Sequence, residues 1–68
     1  MNMTRVISDT VFAVGYDPNS ETLRVQFQSG GTYDYSGVSE SLYLQMLQPH
    51  PWRSVGGLVK AHPYRRVG

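Results

Sequence analysis

Cysteine is absent from the 68 residues, which excludes disulfides, thiolate chemistry and the common zinc fingers together. Long apolar runs are absent as well. No stretch approaches the roughly 20 residues a membrane-spanning helix needs, and the opening Met1-Asn2-Met3-Thr4-Arg5 lacks the apolar block of a secretory signal. A soluble, cytoplasmic chain is the expectation. A third absence is acid in the second half. Residues 41–68 carry Arg53, Lys60, Arg65 and Arg66 with no Asp or Glu, a net charge of +4. Residues 1–40 carry five acids against Arg5 and Arg24, a net charge of −3. Such asymmetry reads either as a surface for an anionic partner or as four solvated cations.

What is present fits one small domain spanning residues 1–68. A chain of this length buries only about 60% of its unfolded surface, and without disulfides its stability rests on a compact apolar core. Residues 1–9 are polar and expected to be frayed or weakly extended. A three-stranded antiparallel meander is expected over residues 10–35. Its first strand, Thr10 to Tyr16, places Phe12, Val14 and Tyr16 on one face and Val11 and Ala13 on the other. Asp17-Pro18-Asn19-Ser20 is a turn: proline presets φ, and the Asp and Asn side chains bond nearby backbone. Thr22 to Gln28 alternates cleanly, with Leu23, Val25 and Phe27 inward and Arg24, Gln26 and Gln28 toward water. Ser29-Gly30-Gly31 supplies the positive φ of a hairpin, and Thr32 to Tyr35 then points Tyr33 and Tyr35 one way and Asp34 the other.

An amphipathic helix is expected over residues 39–48. Ser39 is its N-cap, Glu40 complements the helix dipole in the first turn, and Val38 with Tyr43 has the spacing of a hydrophobic staple. Leu42, Tyr43, Met46 and Leu47 form the buried stripe, Leu44 lies off it, and Pro49 ends the helix by Gln48. Residues 49–68 are a basic, aromatic C-terminal segment. Pro49 to Gly57 reads as an ordered loop or one helical turn, Leu58 to Ala61 as a second short helix, and Tyr64 to Gly68 as a tail. The fold class is therefore α+β, a meander packed against one helix with a short helical or looped basic C-terminus.

Catalytic and metal chemistry find little support. His50 and His62, with eleven residues between them, fall short of the three or four ligands a zinc site requires, and they read as ordinary surface histidines. No spacing singles out a nucleophile with its base and orienter, so no enzyme, no metal and no cofactor is expected. Ser54-Val55-Gly56-Gly57-Leu58-Val59-Lys60 sets two glycines ahead of a short helix, where backbone N–H groups can hold an anion. It lacks the Gly-Lys-Ser/Thr ending of a phosphate-binding loop, and a simple chain turn is the stronger reading. Among eight aromatic residues, most belong to the inner sheet face. Trp52 and Tyr64, beside Arg53 and Arg65, are the outward-facing exceptions. Rings beside cations suit nucleobase stacking, and equally suit a protein interface.

The order of short motifs resembles the KTSC domain, a module named for its place at the C-terminus of some lysyl-tRNA synthetases and found also as stand-alone bacterial or phage proteins. The residues that carry the resemblance are Val14-Gly15-Tyr16-Asp17, Leu23-x-Val25-x-Phe27, Gly31-x-Tyr33-x-Tyr35 and Val38, then Ser54, Gly56, Val59-Lys60 and Pro63-Tyr64-Arg65-Arg66-Val67. The resemblance spans nearly the whole chain, roughly residues 6–67. Ser8-Asp9 stands where the family often has Ser-Ser, and Ser39 where it often has proline. The resemblance implies no established activity; the synthetase association points to RNA.

Together these readings lead to a non-catalytic binding module that engages RNA or a nucleic-acid-handling complex. Its C-terminal third does the binding: Arg53, Lys60, Arg65 and Arg66 meet phosphates while Trp52 and Tyr64 stack. The competing expectation is a protein-protein effector, such as a small phage-encoded regulator of transcription that docks on a host machine like RNA polymerase. No membrane contact is expected, and the chain is a monomer or a dimer paired along the edge strand Thr10–Tyr16.

Overall fold

The computed structural model describes all residues from Met1 to Gly68. Five strands form one antiparallel sheet: β1 (Thr4–Arg5), β2 (Val11–Asp17), β3 (Thr22–Phe27), β4 (Thr32–Tyr35) and β5 (Tyr64–Arg66). Their spatial order is their chain order. Two helices, α1 (Glu40–Gln45) and α2 (Pro51–Lys60), lie between β4 and β5 in the chain. The fold is α+β as expected, but the sheet has five strands rather than three and a second full helix. Val11, Val14, Leu23, Val25 and Tyr35 of the sheet pack with Val38, Leu42, Met46, Val55 and Val59, so the core lies between the sheet and the helices.

Both added strands come from segments without apolar alternation. Thr4 and Arg5 pair with Val14 and Ala13, and residues 1–3 fold over Gly15, where a Cβ would sit 2.7 Å from Sδ of Met3. The Thr10–Tyr16 edge, expected to be free for pairing with a second copy, is thus occupied by β1. At the other side Tyr64, Arg65 and Arg66 pair with Tyr35, Asp34 and Tyr33. Beyond β5 the Val67 N–H donates to the Thr32 carbonyl at 2.8 Å, and the Ser36 N–H donates to Pro63 at 2.8 Å. The expected tail is a strand because β4 offers it a row of unpaired backbone groups.

β2 departs from strict alternation. Val11 pairs with Phe27 and Ala13 with Gln26, leaving Phe12 as an extra, unpaired residue. This bulge reverses the expected facing at the start of the strand. Val11 is fully buried in the core, while Phe12 lies outside the core cluster with the Arg5 guanidinium 4.0 Å from its ring centre. Downstream the expected pattern holds: Val14 pairs with Val25 and Tyr16 with Leu23.

Ser39 caps α1 through its hydroxyl, which accepts the Leu42 N–H at 3.2 Å. Leu42 and Met46 are buried, and Tyr43 stacks on Tyr16 with ring centres 5.0 Å apart. Leu47 does not join this stripe. The helix ends at Gln45, and Leu47 is exposed with Leu44. α2 starts at Pro51, whose missing N–H costs nothing in a first turn, and runs unbroken through Gly56-Gly57 to Lys60. Burial of Val55, Gly56 and Val59 against the core holds it, overriding the poor helix propensity of glycine.

Candidate functional site

Side chains alternate along a strand, so Tyr33 and Tyr35 both face the helices, opposite Val25 and Leu23 of β3. β5 lies beside β4 with Tyr64 directly across from Tyr35. Tyr64 therefore shares that face. Trp52, in the first turn of α2, comes down onto the same corner and meets Phe27 edge-on, with ring centres 5.0 Å apart at 85°. Its position depends on Gly56 one turn later, because a Cβ there would lie 2.9 Å from Cδ2 of the indole.

The five rings close into a circuit. Phe27 meets Tyr33 at 5.8 Å, Tyr33 meets Tyr64 at 5.8 Å, and Tyr64 meets Tyr35 at 5.8 Å. Tyr35 then meets Trp52 at 6.4 Å. Against this circuit opens a cavity of about 520 Å³, lined by these five residues and Lys60. Lys60 reaches it from the last turn of α2. Lys60 is the one formally charged residue of the lining, which includes no carboxylate. Trp52 is half-buried and Tyr64 is 63% exposed, so the cavity has one firm wall and one solvent-facing wall. Burial pushes the Tyr35 hydroxyl above its ordinary pKa, with Tyr33 and Tyr64 adding to the effect.

Of the six residues expected to bind, the fold gathers Trp52, Lys60 and Tyr64 around this cavity. Arg66 sits next to it. It pairs with Tyr33 on β4, and its guanidinium carbon lies, like the Tyr33 ring edge, against Gly31. The other two cations go elsewhere. Arg65 alternates to the opposite sheet face, across from Asp34, and Arg53 points to Asp9, its Nη2 2.8 Å from Oδ2. That pairing holds the Asp9 carboxyl below its ordinary pKa, first through the hydrogen bond and then through charge. The basic C-terminal third is accordingly not one continuous surface, because a strand sends consecutive side chains to opposite sides.

Sequence reasoning placed Phe27, Tyr33 and Tyr35 in the core and missed their part in the cavity. A signal was available: two tyrosines rather than phenylalanines on one strand face mark a place where rings meet water at their hydroxyl ends. The glycines of the Ser54–Lys60 stretch lie within α2 rather than at its start, so their N–H groups form no anion cradle. His50 precedes α2 with φ 53°, and its N–H donates to the Ile7 carbonyl at 2.6 Å. No three His, Cys, Asp or Glu side chains gather as a metal site. No helix is long and apolar enough to cross a membrane.

The family model of the KTSC domain matches residues 7–50. The chain is similar to a crystal structure of a KTSC domain protein from Yersinia pestis, with 30% sequence identity and a TM-score of 0.89. The alignment covers 98% of this chain and 97% of that one. A comparison with curated proteins finds no match.

Proposed function

The chain belongs to the KTSC domain family, and from that premise we propose that it is a non-catalytic binding module that engages single-stranded RNA through its aromatic cavity. The observation that carries this reading is the circuit of Phe27, Tyr33, Tyr64, Tyr35 and Trp52 around one lysine. Aromatic faces stack unpaired bases with about 1–3 kcal/mol per base. Lys60 inside the lining and Arg66 beside Tyr33 supply phosphate contacts. Phe27 and Tyr33 join Trp52 and Tyr64 as the stacking surface, the buried Tyr35 ring backs it, and Arg53 and Arg65 lie away from it.

Titration of a labelled single-stranded RNA at increasing salt tests the proposal. Each phosphate neutralised on a single strand contributes a slope of about −0.7 in log K against log salt. Lys60→Ala and Arg66→Ala are each expected to flatten that slope, whereas Arg53→Ala and Arg65→Ala leave it unchanged. Binding indifferent to salt and to Lys60 overturns the reading. So does capture of a nuclease-resistant protein from bacterial lysate by a chain that retains no RNA. That result belongs to an effector docking on a machine such as RNA polymerase, whose hot spots draw on the same residue types.

A further inference from the structure

Resting on that reading, we infer that the cavity takes a single nucleotide unit, one unpaired base with its own phosphate, rather than a run of stacked bases. The ring geometry makes the distinction. A platform that stacks successive bases presents its rings side by side with their faces open. Here the Phe27–Trp52 and Phe27–Tyr33 contacts are edge-on at 85° and 79°, and Tyr33–Tyr64 and Tyr35–Trp52 are tilted at 57° and 55°. Tyr35 and Tyr64 meet at 39°, so no two neighbouring rings of the circuit are parallel, and the five line one concavity, a cup. Its volume of about 520 Å³ is within the range of about 300–1,000 Å³ that encloses a small ligand, and its mouth opens past the exposed Tyr64.

Charge narrows the ligand class further. An aromatic cage for a quaternary ammonium attracts a cation by ring faces alone, and Lys60 in the lining opposes that use. An aromatic group that carries an anion satisfies both features, with its plane among the rings and its phosphate at the Lys60 ammonium. A nucleoside monophosphate has this chemistry, whether free in solution or as an unpaired residue of an RNA strand.

Trp52 is the only tryptophan, so its emission reports occupancy of the cup directly. The full chain is titrated with AMP, adenosine, inorganic phosphate and oligoadenylates of increasing length. AMP is expected to quench the indole saturably at one equivalent, with adenosine about tenfold weaker for want of the charge-assisted contact. Inorganic phosphate alone leaves the emission unchanged. Lys60→Ala is expected to bring AMP down to the level of adenosine, and Tyr64→Ala, at an exposed position, to weaken both. Each cup takes one residue of an oligoadenylate at a time, and excess AMP displaces the strand. Quenching by oligoadenylate that AMP neither reproduces nor displaces overturns the single-nucleotide inference while leaving the RNA reading intact. Quenching by AMP with no binding of any oligomer sustains the cup as a free-nucleotide site and overturns the RNA reading. No quenching by either ligand overturns both.

Discussion

A Cβ placed on Gly56 would lie 2.9 Å from Cδ2 of Trp52, whereas one placed on the neighbouring Gly57 would meet nothing within 4 Å. Two adjacent helical glycines therefore have opposite reasons to be there. Gly57→Ala is expected to stabilise the fold by about 0.5–1 kcal/mol, the ordinary difference in helix propensity. Gly56→Ala gains the same propensity but pushes the indole off α2 toward Phe27 and Tyr35, with a net loss of about 1–3 kcal/mol. Urea denaturation followed by Trp52 emission measures both, and the native emission should shift only in the Gly56 variant.

Two ion pairs differ as sharply. Arg24 grips Asp34 with two hydrogen bonds, Nε to Oδ1 at 2.7 Å and Nη2 to Oδ2 at 2.9 Å, and Asp34 is 8% exposed. Arg24→Ala strands a buried carboxylate and is expected to cost about 1–3 kcal/mol. Removing Asp34 as well should restore part of that loss, because no charge is then left unpaired. Arg53→Ala breaks a pair in which both side chains are 65% exposed, and the denaturation midpoint should stay where it is. A double-mutant cycle at each pair distinguishes them.

Much of the central sheet was legible because its physics is local. Leu23, Val25 and Phe27 alternate with polar neighbours, and Ser39 advertises its cap by its hydroxyl. The parts that escaped depend on distant contacts. Nothing near Phe12 announces the bulge that sends Val11 inward, since both residues are apolar and either facing satisfies the pattern. Gly56-Gly57 reads as a break because propensity favours one, yet the indole of Trp52 needs the missing Cβ. Tyr64, Arg65 and Arg66 carry no buried side chain to reveal a strand, and only the open edge of β4 makes them one. The cup was hidden for the same reason: it exists only once β5 and α2 reach the face that Tyr33 and Tyr35 share.

Glu21 closes the β2–β3 turn with φ 53°, a left-handed conformation that costs an L-residue about 1–2 kcal/mol. Its carbonyl accepts the Val38 N–H at 2.9 Å, so the backbone cannot relax without releasing the approach to α1. Glu21→Gly keeps that carbonyl in place and removes the strain. Part of the gain is offset by the greater freedom of glycine in the unfolded chain, leaving about 0.5 kcal/mol of added stability. Glu21→Val should move the midpoint the other way. Thermal and urea unfolding of the two variants give the comparison.

The last relationship links Tyr16 and Tyr35 to alkaline stability. The Tyr16 hydroxyl donates to the Val38 carbonyl at 2.5 Å. Burial raises its pKa above 10.0, helped by Glu21, Glu40 and Asp17. Burial likewise raises Tyr35, with Tyr33 and Tyr64 contributing. In the unfolded chain both ionise near pH 10. Protonated tyrosine is thus favoured by the fold, and its stabilising contribution is complete below about pH 10 and lost as pH rises through the folded values. The urea midpoint is expected to fall above that pH. Tyr35→Phe removes one titrating group without breaking a hydrogen bond, so it should flatten the alkaline fall and leave the neutral midpoint alone. Tyr16→Phe should flatten it as well, but it also lowers the neutral midpoint, because the Val38 carbonyl loses its donor. Equal neutral midpoints for the two variants would mean that the hydroxyl bond to Val38 contributes nothing to holding the sheet against the start of α1.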